Sequence, residues 1–143
     1  LQTPPQYVCD AFEKNFDKLE NEKIIIKGKR LNRDIFDQIF TFGMSIIASL
    51  IFGKKLTDIN AQPKIFSKNF LSFFKNPPND FSLDIYLMVV AIQNHYKIIE
   101  YPVRWDERVA GEAKGGGSIK AKLRLIIQTL KCIIALKKKF KTS

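Results

Sequence analysis

A cluster of basic residues follows the first strongly apolar run of the sequence. Lys27-Gly28-Lys29-Arg30 comes directly after three consecutive isoleucines, and Arg33 lies three residues further on. Glycine allows a ligand to approach the backbone closely, and a guanidinium group can contact a phosphate through two donors. We therefore regard Arg30 and Arg33 as candidate phosphate-binding residues. The alternative is an ordinary strand end with solvated basic side chains.

Two aspartates are candidates for acid–base chemistry. Asp58 lies in Leu56-Thr57-Asp58-Ile59-Asn60, between an apolar helical pattern and a predicted strand, where a carboxylate could act as a general base. Asp84 lies in the first turn of another predicted helix, where a carboxylate complements the helix dipole. Capping of a turn or a helix is the alternative for both residues. Glu100 alternates onto the polar side of its predicted strand and is not singled out.

Helical and extended patterns that alternate along the chain must position these groups. Apolar periodicity predicts helices over residues 6–20, 34–53, 81–95 and 119–140, with one or two further helical turns over 69–74. Strands are predicted over residues 23–27, 64–67 and 97–105. The helix over 34–53 has few polar positions and is predicted to be mostly buried. Pro102 indicates that the last strand lies at a sheet edge or that the proline lies at a strand end. The alternation predicts an α/β sandwich.

Positive charge is concentrated at the C-terminal end of the chain. The 143 residues include 24 Lys and Arg against 14 Asp and Glu, which gives a formal net charge of +10. Residues 114–143 hold nine of the basic residues and no acidic one, so the preceding part is close to neutral. A composition that is 45% apolar excludes a disordered tail. The charge pattern predicts an anionic partner, either phospholipid or nucleic acid.

The last predicted helix is amphipathic. One face carries Ile119, Leu123, Ile126, Ile127, Leu130, Ile133 and Ile134, and a separate stripe carries Lys120, Arg124, Lys131 and Lys138. Such a helix can lie in a membrane interface, with its apolar side in the acyl boundary and its cations among anionic headgroups. The alternative is that the apolar face packs on the body of the protein. The longest uncharged run, residues 38–53, is short for a membrane span.

Four motifs occur in order along the chain. They are Leu1-Gln2-Thr3-Pro4-Pro5; Lys27-Gly28-Lys29-Arg30; Leu56-Thr57-Asp58 followed by Gln62-Pro63-Lys64-Ile65-Phe66; and Glu100-Tyr101-Pro102-Val103 followed by Arg108, Gly111-Glu112 and Lys114. This ordered set resembles the C-terminal half of glycosyltransferase family 2 enzymes. The family includes dolichyl-phosphate mannose synthase and polyprenyl-phosphate glycosyltransferases.

Each motif resembles a separate signature of that family. In chain order, the four are similar to the stretch after the metal-binding Asp-x-Asp motif, to the Gly-x-Arg strand end, to the Thr-Asp and Gly-Phe-Arg-x-Phe block, and to the Glu-x-Pro-Val and Arg-x-x-Gly-Glu-Ser-Lys signature. Two departures bear on donor or acceptor preference. Ala113 replaces the usual serine, and Gln62-Pro63-Lys64 replaces Gly-Phe-Arg.

The resemblance implies a fold and a domain organisation. The expected fold is a partial A-type glycosyltransferase (Rossmann-like) sandwich with a C-terminal amphipathic helix. Residues 1–114 would form the acceptor-side half of the catalytic domain, and residues 115–143 a glycine-rich loop and a basic membrane-interface helix. The nucleotide-binding half and both metal-binding aspartates would precede Leu1. The chain is therefore expected to be a fragment and to be inactive by itself.

The resemblance also implies an activity and assigns residues to it. The activity is inverting transfer of a sugar from a nucleotide-sugar donor to a lipid phosphate, such as polyprenyl or dolichyl phosphate, or to a related acceptor. Mg²⁺ or Mn²⁺ would neutralise the leaving pyrophosphate. By position, Gln2 would help to hold the metal, Asp58 would be the catalytic carboxylate with Asp84 as a secondary candidate, and phosphate groups would be bound by Arg30, Arg33, Arg108 and Lys114.

A location and a set of partners follow from the resemblance and from the last helix together. The protein is expected at the cytoplasmic face of a membrane, as a peripheral protein, with no nucleic acid as partner. The alternative is a non-catalytic basic module that binds an anionic membrane or nucleic acid through its C-terminal helix.

Overall fold

The computed structural model describes residues 3–31, 35–80, 82–104 and 119–141. Within these ranges the elements are α1 (Gln6–Glu13), α2 (Phe16–Asn21), β1 (Ile24–Leu31), α3 (Ile35–Phe52), β2 (Lys64–Phe66), a 3₁₀-helix (Lys68–Phe73), α4 (Leu83–Gln93), β3 (Lys97–Arg104) and α5 (Ile119–Lys141). The protein is therefore a mixed α/β structure, and the predicted fold class is confirmed at this level.

The three strands form one mixed sheet in the order β2-β1-β3. β1 runs parallel to β3, with Ile26 opposite Ile99, and antiparallel to β2, with Ile26 opposite Ile65. β3 lies at an edge of the described sheet, as Pro102 predicts. Because β1 and β3 are parallel, their carboxyl ends lie side by side. The polar candidate residues are gathered along this half of the two strands.

β1 is buried on both faces because its isoleucines alternate between two groups of helices. Ile24 and Ile26 pack with Ala11 of α1 and Leu19 of α2, whereas Ile25 packs in the main core on the other face. A run of three isoleucines is typical of a strand that is buried on both faces. The strand is longer than predicted, since its pairing with β3 continues through the basic cluster to Leu31.

The main core is built around α4, whose residues 85–91 are all buried. A helix that is apolar all round is stable only when other elements surround it. Ile25 of β1, Ala48 of α3, and Ile133 and Leu136 of α5 belong to the same core cluster. The C-terminal helix is thus packed against the body through one of its faces.

The first predicted helix is divided into two, so the single helix over residues 6–20 is wrong. α1 ends at Glu13 and α2 begins at Phe16, and between them Asn15 leaves helical geometry with φ −127° and ψ 16°. The Asn15 side-chain amide donates a hydrogen bond to the Ala11 carbonyl at 2.9 Å. This bond satisfies one of the carbonyls exposed where α1 ends, which the apolar spacing alone did not indicate.

The prediction that α3 is mostly buried is wrong for residues 42, 43 and 45–52, the part of the helix whose side chains the structure describes. Ser45 and Ala48 are buried, but Phe42 is 67% exposed and Leu50 is 77% exposed. Apolar composition shows that a helix can be buried and does not show how many neighbours cover it. Within the described residues, no helix is long and apolar enough to cross a membrane.

Candidate functional site

Asp58 and Arg30 form a close ion pair at the carboxyl half of β1. Arg30 Nε donates to both carboxylate oxygens of Asp58, at 2.9 and 3.1 Å, and Arg30 Nη2 donates to Oδ1. The Arg30 backbone N–H donates to Oδ2 at 2.9 Å. Only 9% of the arginine side chain and 13% of the aspartate side chain are exposed. Asp58 is the predicted catalytic carboxylate and Arg30 is a predicted phosphate-binding residue, and the structure brings their side chains together.

The turn that presents Asp58 has an unusual backbone conformation. Asp58 has φ 39°, in the left-handed region that aspartate tolerates better than most residues. Its carbonyl accepts the Ala61 N–H at 2.9 Å, which closes a tight turn. Asp58 thus lies in a turn, while its side chain accepts hydrogen bonds from Arg30.

Lys27 is a buried cation beneath this turn. Its side chain is 1% exposed, and Nζ donates to the Thr57 carbonyl at 2.8 Å, to the Gly28 carbonyl at 3.3 Å and to Glu100 Oε1 at 3.3 Å. An ammonium group has three donors, and each of them has an acceptor here. Burial lowers the pKa of Lys27, and the neighbouring Glu100 carboxylate opposes that effect. The lysine thus connects β1, the turn and β3.

Glu100 of β3 is the carboxylate that balances Lys27. Its Oε1 also accepts a hydrogen bond from the Thr57 hydroxyl, and its Oε2 lies 3.0 Å from Lys29 Nζ. Burial alone would raise the pKa of Glu100. Hydrogen bonds from Thr57 and Lys29 and the charge of Lys27 outweigh this effect and lower the pKa to about 2. Glu100 therefore stays ionised well into the acid range.

A second ion pair lies beside this network and contains the other predicted aspartate. Asp84 Oδ1 is 2.6 Å from Lys64 Nζ and accepts a bond from Gln62 Nε2 at 3.2 Å. Burial lowers the pKa of Lys64, and the charges of Lys27 and Arg30 lower it further, while Asp84 opposes both. Asp84 thus pairs with a lysine of β2 and holds a different cation from Asp58.

Gly28 is required where the chain segment before β2 crosses β1. A Cβ atom at this position would lie 2.1 Å from the Gln62 carbonyl oxygen, and the Gly28 N–H donates to the Pro63 carbonyl at 2.8 Å. The sequence analysis assigned the glycine to close approach of a ligand. The structure shows that it permits close approach of another backbone segment.

We call the network of Lys27, Lys29, Arg30, Thr57, Asp58 and Glu100 the β1 polar cluster. The sequence analysis did not single out Lys27, Thr57 or Glu100. The sequence did contain one signal for Lys27. It follows three isoleucines in a strand that is buried on both faces, and a buried lysine is rarely found without a charged or polar partner. The remaining predicted site residues, Gln2, Arg33, Arg108 and Lys114, lie outside the described residues.

The described residues do not form a metal site. Among them, no three His, Cys, Asp or Glu side chains lie close enough together to hold a metal ion. The carboxylate of Asp58 is engaged by Arg30, and Gln2 lies outside the described ranges. We therefore assign no step of the chemistry to a metal held by these residues.

The β1 polar cluster contains one group that can bind phosphate and one that can accept a proton. The guanidinium of Arg30 has the shape to contact a phosphate group, and the carboxylate of Asp58 can accept a proton. Because the two groups neutralise each other, an incoming phosphate would compete with Asp58 for the arginine.

No protein-family model, no curated protein and no solved structure matches the chain.

Proposed function

We propose that the chain is part of a glycosyltransferase that transfers a sugar from a nucleotide-sugar donor to a lipid-phosphate or related acceptor. The observation that carries this proposal is the pairing of Asp58 with Arg30 beside the carboxyl ends of two parallel strands. Ligands of open α/β sheets bind outside the carboxyl ends of the strands. Transfer to either kind of acceptor requires a group that binds phosphate, and transfer to a hydroxyl acceptor also requires a proton acceptor.

The topology of the sheet is a second support for the proposal. The proposal includes an A-type glycosyltransferase fold for the complete catalytic domain. It is supported by the parallel pairing of β1 with β3, which brings together the motif that ends in Arg30 and the motif that begins at Glu100. These motifs are 70 residues apart in sequence and both belong to the resemblance.

The proposed reaction is a displacement at the anomeric carbon of the donor sugar. An acceptor oxygen forms the new bond to that carbon while the bond to the nucleotide diphosphate breaks, and the diphosphate leaves with the bonding electron pair. Where the acceptor is a hydroxyl group, Asp58 takes its proton; a lipid phosphate reacts as the anion and needs no proton acceptor. Arg30 binds a phosphate group of the donor or acceptor.

The proposed location is the surface of a membrane, where a lipid-linked acceptor is found. The support is the charge of α5, in which every charged residue is basic. Arg124, Lys131 and Lys137 are exposed on this helix. Cations on the surface of a helix are attracted to anionic headgroups, and the attraction is weakened by salt.

The decisive experiment is a sugar-transfer assay on a protein in which this chain follows its own upstream sequence. With a hydroxyl acceptor, whose proton must be removed, Asp58→Asn should lower turnover by about 100- to 10,000-fold, the contribution typical of a positioned acid–base group. Binding of the nucleotide-sugar donor should remain. Asp17→Asn, which changes an exposed aspartate of α2, is the matched control and should leave turnover unchanged.

Two results would contradict the proposal. If Asp58→Asn keeps full turnover while circular dichroism shows an intact fold, Asp58 has no part in the mechanism. If the protein with its upstream sequence transfers no sugar from any nucleotide-sugar donor, the proposed function is wrong. Transfer by the 143-residue chain alone would overturn the narrower expectation that this part is inactive by itself.

A further inference from the structure

An apolar stripe runs along the exposed side of α3. Phe42, Ile46 and Leu50 are spaced by four residues, so they lie on one side of the helix, and all three are exposed. Ala48, on the opposite side, is buried in the main core, and Ser45 is also buried. Residues 42–53 contain no charged side chain. The stripe is therefore a continuous apolar strip, of the kind that marks an interaction surface.

Positive charges follow the stripe in sequence and lie on a helix that packs against α3. Lys54 and Lys55 follow the end of α3 and are exposed. α3 packs against α5, which contains no acidic residue and exposes Arg124, Lys131 and Lys137. An apolar strip flanked by cations complements an anionic lipid surface, whose headgroups attract the cations while the acyl boundary accepts the apolar side chains.

A second exposed apolar stripe, on α1 and α2, does not share this environment. Val8, Phe12 and Phe16 are also exposed at a spacing of four residues. Asp10, Glu13 and Asp17 lie among them and would be repelled by anionic headgroups, although Lys14 and Lys18 are present as well. The difference in bordering charge distinguishes the two stripes, and it selects the one on α3.

The exposed side of α5 is itself mixed, so this helix alone offers lipid little continuous apolar surface. The sequence predicts seven apolar residues on one face, directed either to a membrane or to the body of the protein. In the structure Ile133 is buried in the core, while Ile127 and Ile134 are exposed close to the cations. Part of that apolar face therefore packs on the body, and less apolar surface remains for lipid.

We propose that the stripe of α3, formed by Phe42, Ile46 and Leu50, is a membrane-docking surface that inserts into the interface of an anionic bilayer. The exposed cations of α5 and Lys54 and Lys55 supply the electrostatic attraction. This inference rests on the proposed peripheral location and adds to it the element that enters the lipid. It places the apolar anchor on α3, and it leaves the attraction of headgroups to the basic residues.

The test is sedimentation of the chain with sucrose-loaded vesicles of phosphatidylcholine, prepared with and without phosphatidylserine. The double variant Phe42→Gln, Leu50→Gln should bind the phosphatidylserine vesicles about tenfold more weakly or worse, at low and at high salt, because each substitution removes apolar surface from the lipid. Lys54→Gln, Lys55→Gln should weaken binding about fivefold for each lysine at low salt. This second effect should shrink at high salt.

The matched control is the double variant Val8→Gln, Leu71→Gln, which removes two exposed apolar side chains elsewhere on the surface. It should bind as the unchanged chain does. The proposal is overturned if the unchanged chain does not sediment with the vesicles, or if the α3 variant binds as well as the control. It is also overturned if the α3 substitutions only convert a dimer into a monomer, since a second copy would then be the partner.

The vesicle assay contains no sugar donor, so its result is independent of the transfer assay. Loss of sugar transfer with intact docking would remove the proposed function and leave the membrane surface. Loss of docking with intact transfer to a soluble acceptor would remove the membrane-docking surface and leave the proposed function.

Discussion

Protonation of Glu100 should cost the protein a measurable part of its stability. Glu100 accepts hydrogen bonds from Thr57 and Lys27 and lies 3.0 Å from Lys29 Nζ, and its pKa falls from 4.5 to about 2. A carboxylate whose pKa is lower in the folded than in the unfolded state stabilises the fold above the unfolded pKa. That contribution is lost as the pH falls towards the folded pKa. The relevant window therefore lies between about pH 5 and pH 2.

The size of the effect follows from the pKa and from exposure. A fall in pKa from 4.5 to about 2 corresponds at full value to ~3 kcal/mol. Because 29% of the Glu100 side chain is exposed, solvent screens the interaction, and we expect about 1–2 kcal/mol. Glu100→Gln removes the charge and keeps the shape of the side chain. The variant should therefore be less stable than the unchanged chain by this amount at neutral pH.

The assay is urea unfolding followed by circular dichroism at a series of pH values. The difference in unfolding free energy between the unchanged chain and Glu100→Gln should shrink as the pH falls through the window. Glu20→Gln, at an exposed position of α2, serves as the control and should show little dependence on pH. A difference for Glu100→Gln that stays constant down to about pH 2 would refute the reasoning.

Two further substitutions test the packing around the β1 polar cluster, both by urea unfolding at neutral pH. Gly28→Ala should lower the unfolding free energy by about 2–3 kcal/mol, because the new Cβ would lie 2.1 Å from the Gln62 carbonyl oxygen. Gly43→Ala in α3, where a Cβ meets no atom within 4 Å, should instead raise it by up to ~1 kcal/mol, and equal effects at the two glycines would contradict the structure. Lys27→Met should lower it by about 2–3 kcal/mol because the Thr57 carbonyl and Glu100 lose a donor. An unchanged or higher value for Lys27→Met would show that the buried ammonium is not stabilising.

Elements that depend on local pattern were predictable from the sequence. The three isoleucines of β1 and the apolar run over residues 85–91 of α4 are recognisable because burial on every side leaves no room for charged side chains. Pro102 correctly indicated an edge strand, since proline cannot donate to a neighbouring strand. The α/β class follows from these elements and their order along the chain.

Features that depend on distant contacts were not predictable. The exposure of Phe42 and Leu50 reflects how few neighbours cover α3, which periodicity does not encode. Arg30 and Asp58 were each recognised by residue type, but their ion pair depends on how the turn folds back onto β1. The role of Glu100 was missed because its partner, Lys27, lies on a neighbouring strand and 73 residues away in sequence.

The contacts of Lys27 have a consequence for how the segment between α3 and β2 moves. Residues 53–63 contain no helix or strand, and a connection of this kind usually opens independently of the sheet beside it. Here the Lys27 ammonium group donates hydrogen bonds both to the Thr57 carbonyl of that connection and to the carboxylate of Glu100 on β3. Separation of the connection from the sheet would break the hydrogen bond between this buried ammonium group and the Thr57 carbonyl. We therefore expect the irregular segment and the two parallel strands to open together, and the backbone amides of the turn that holds Asp58 to be protected along with those of the sheet.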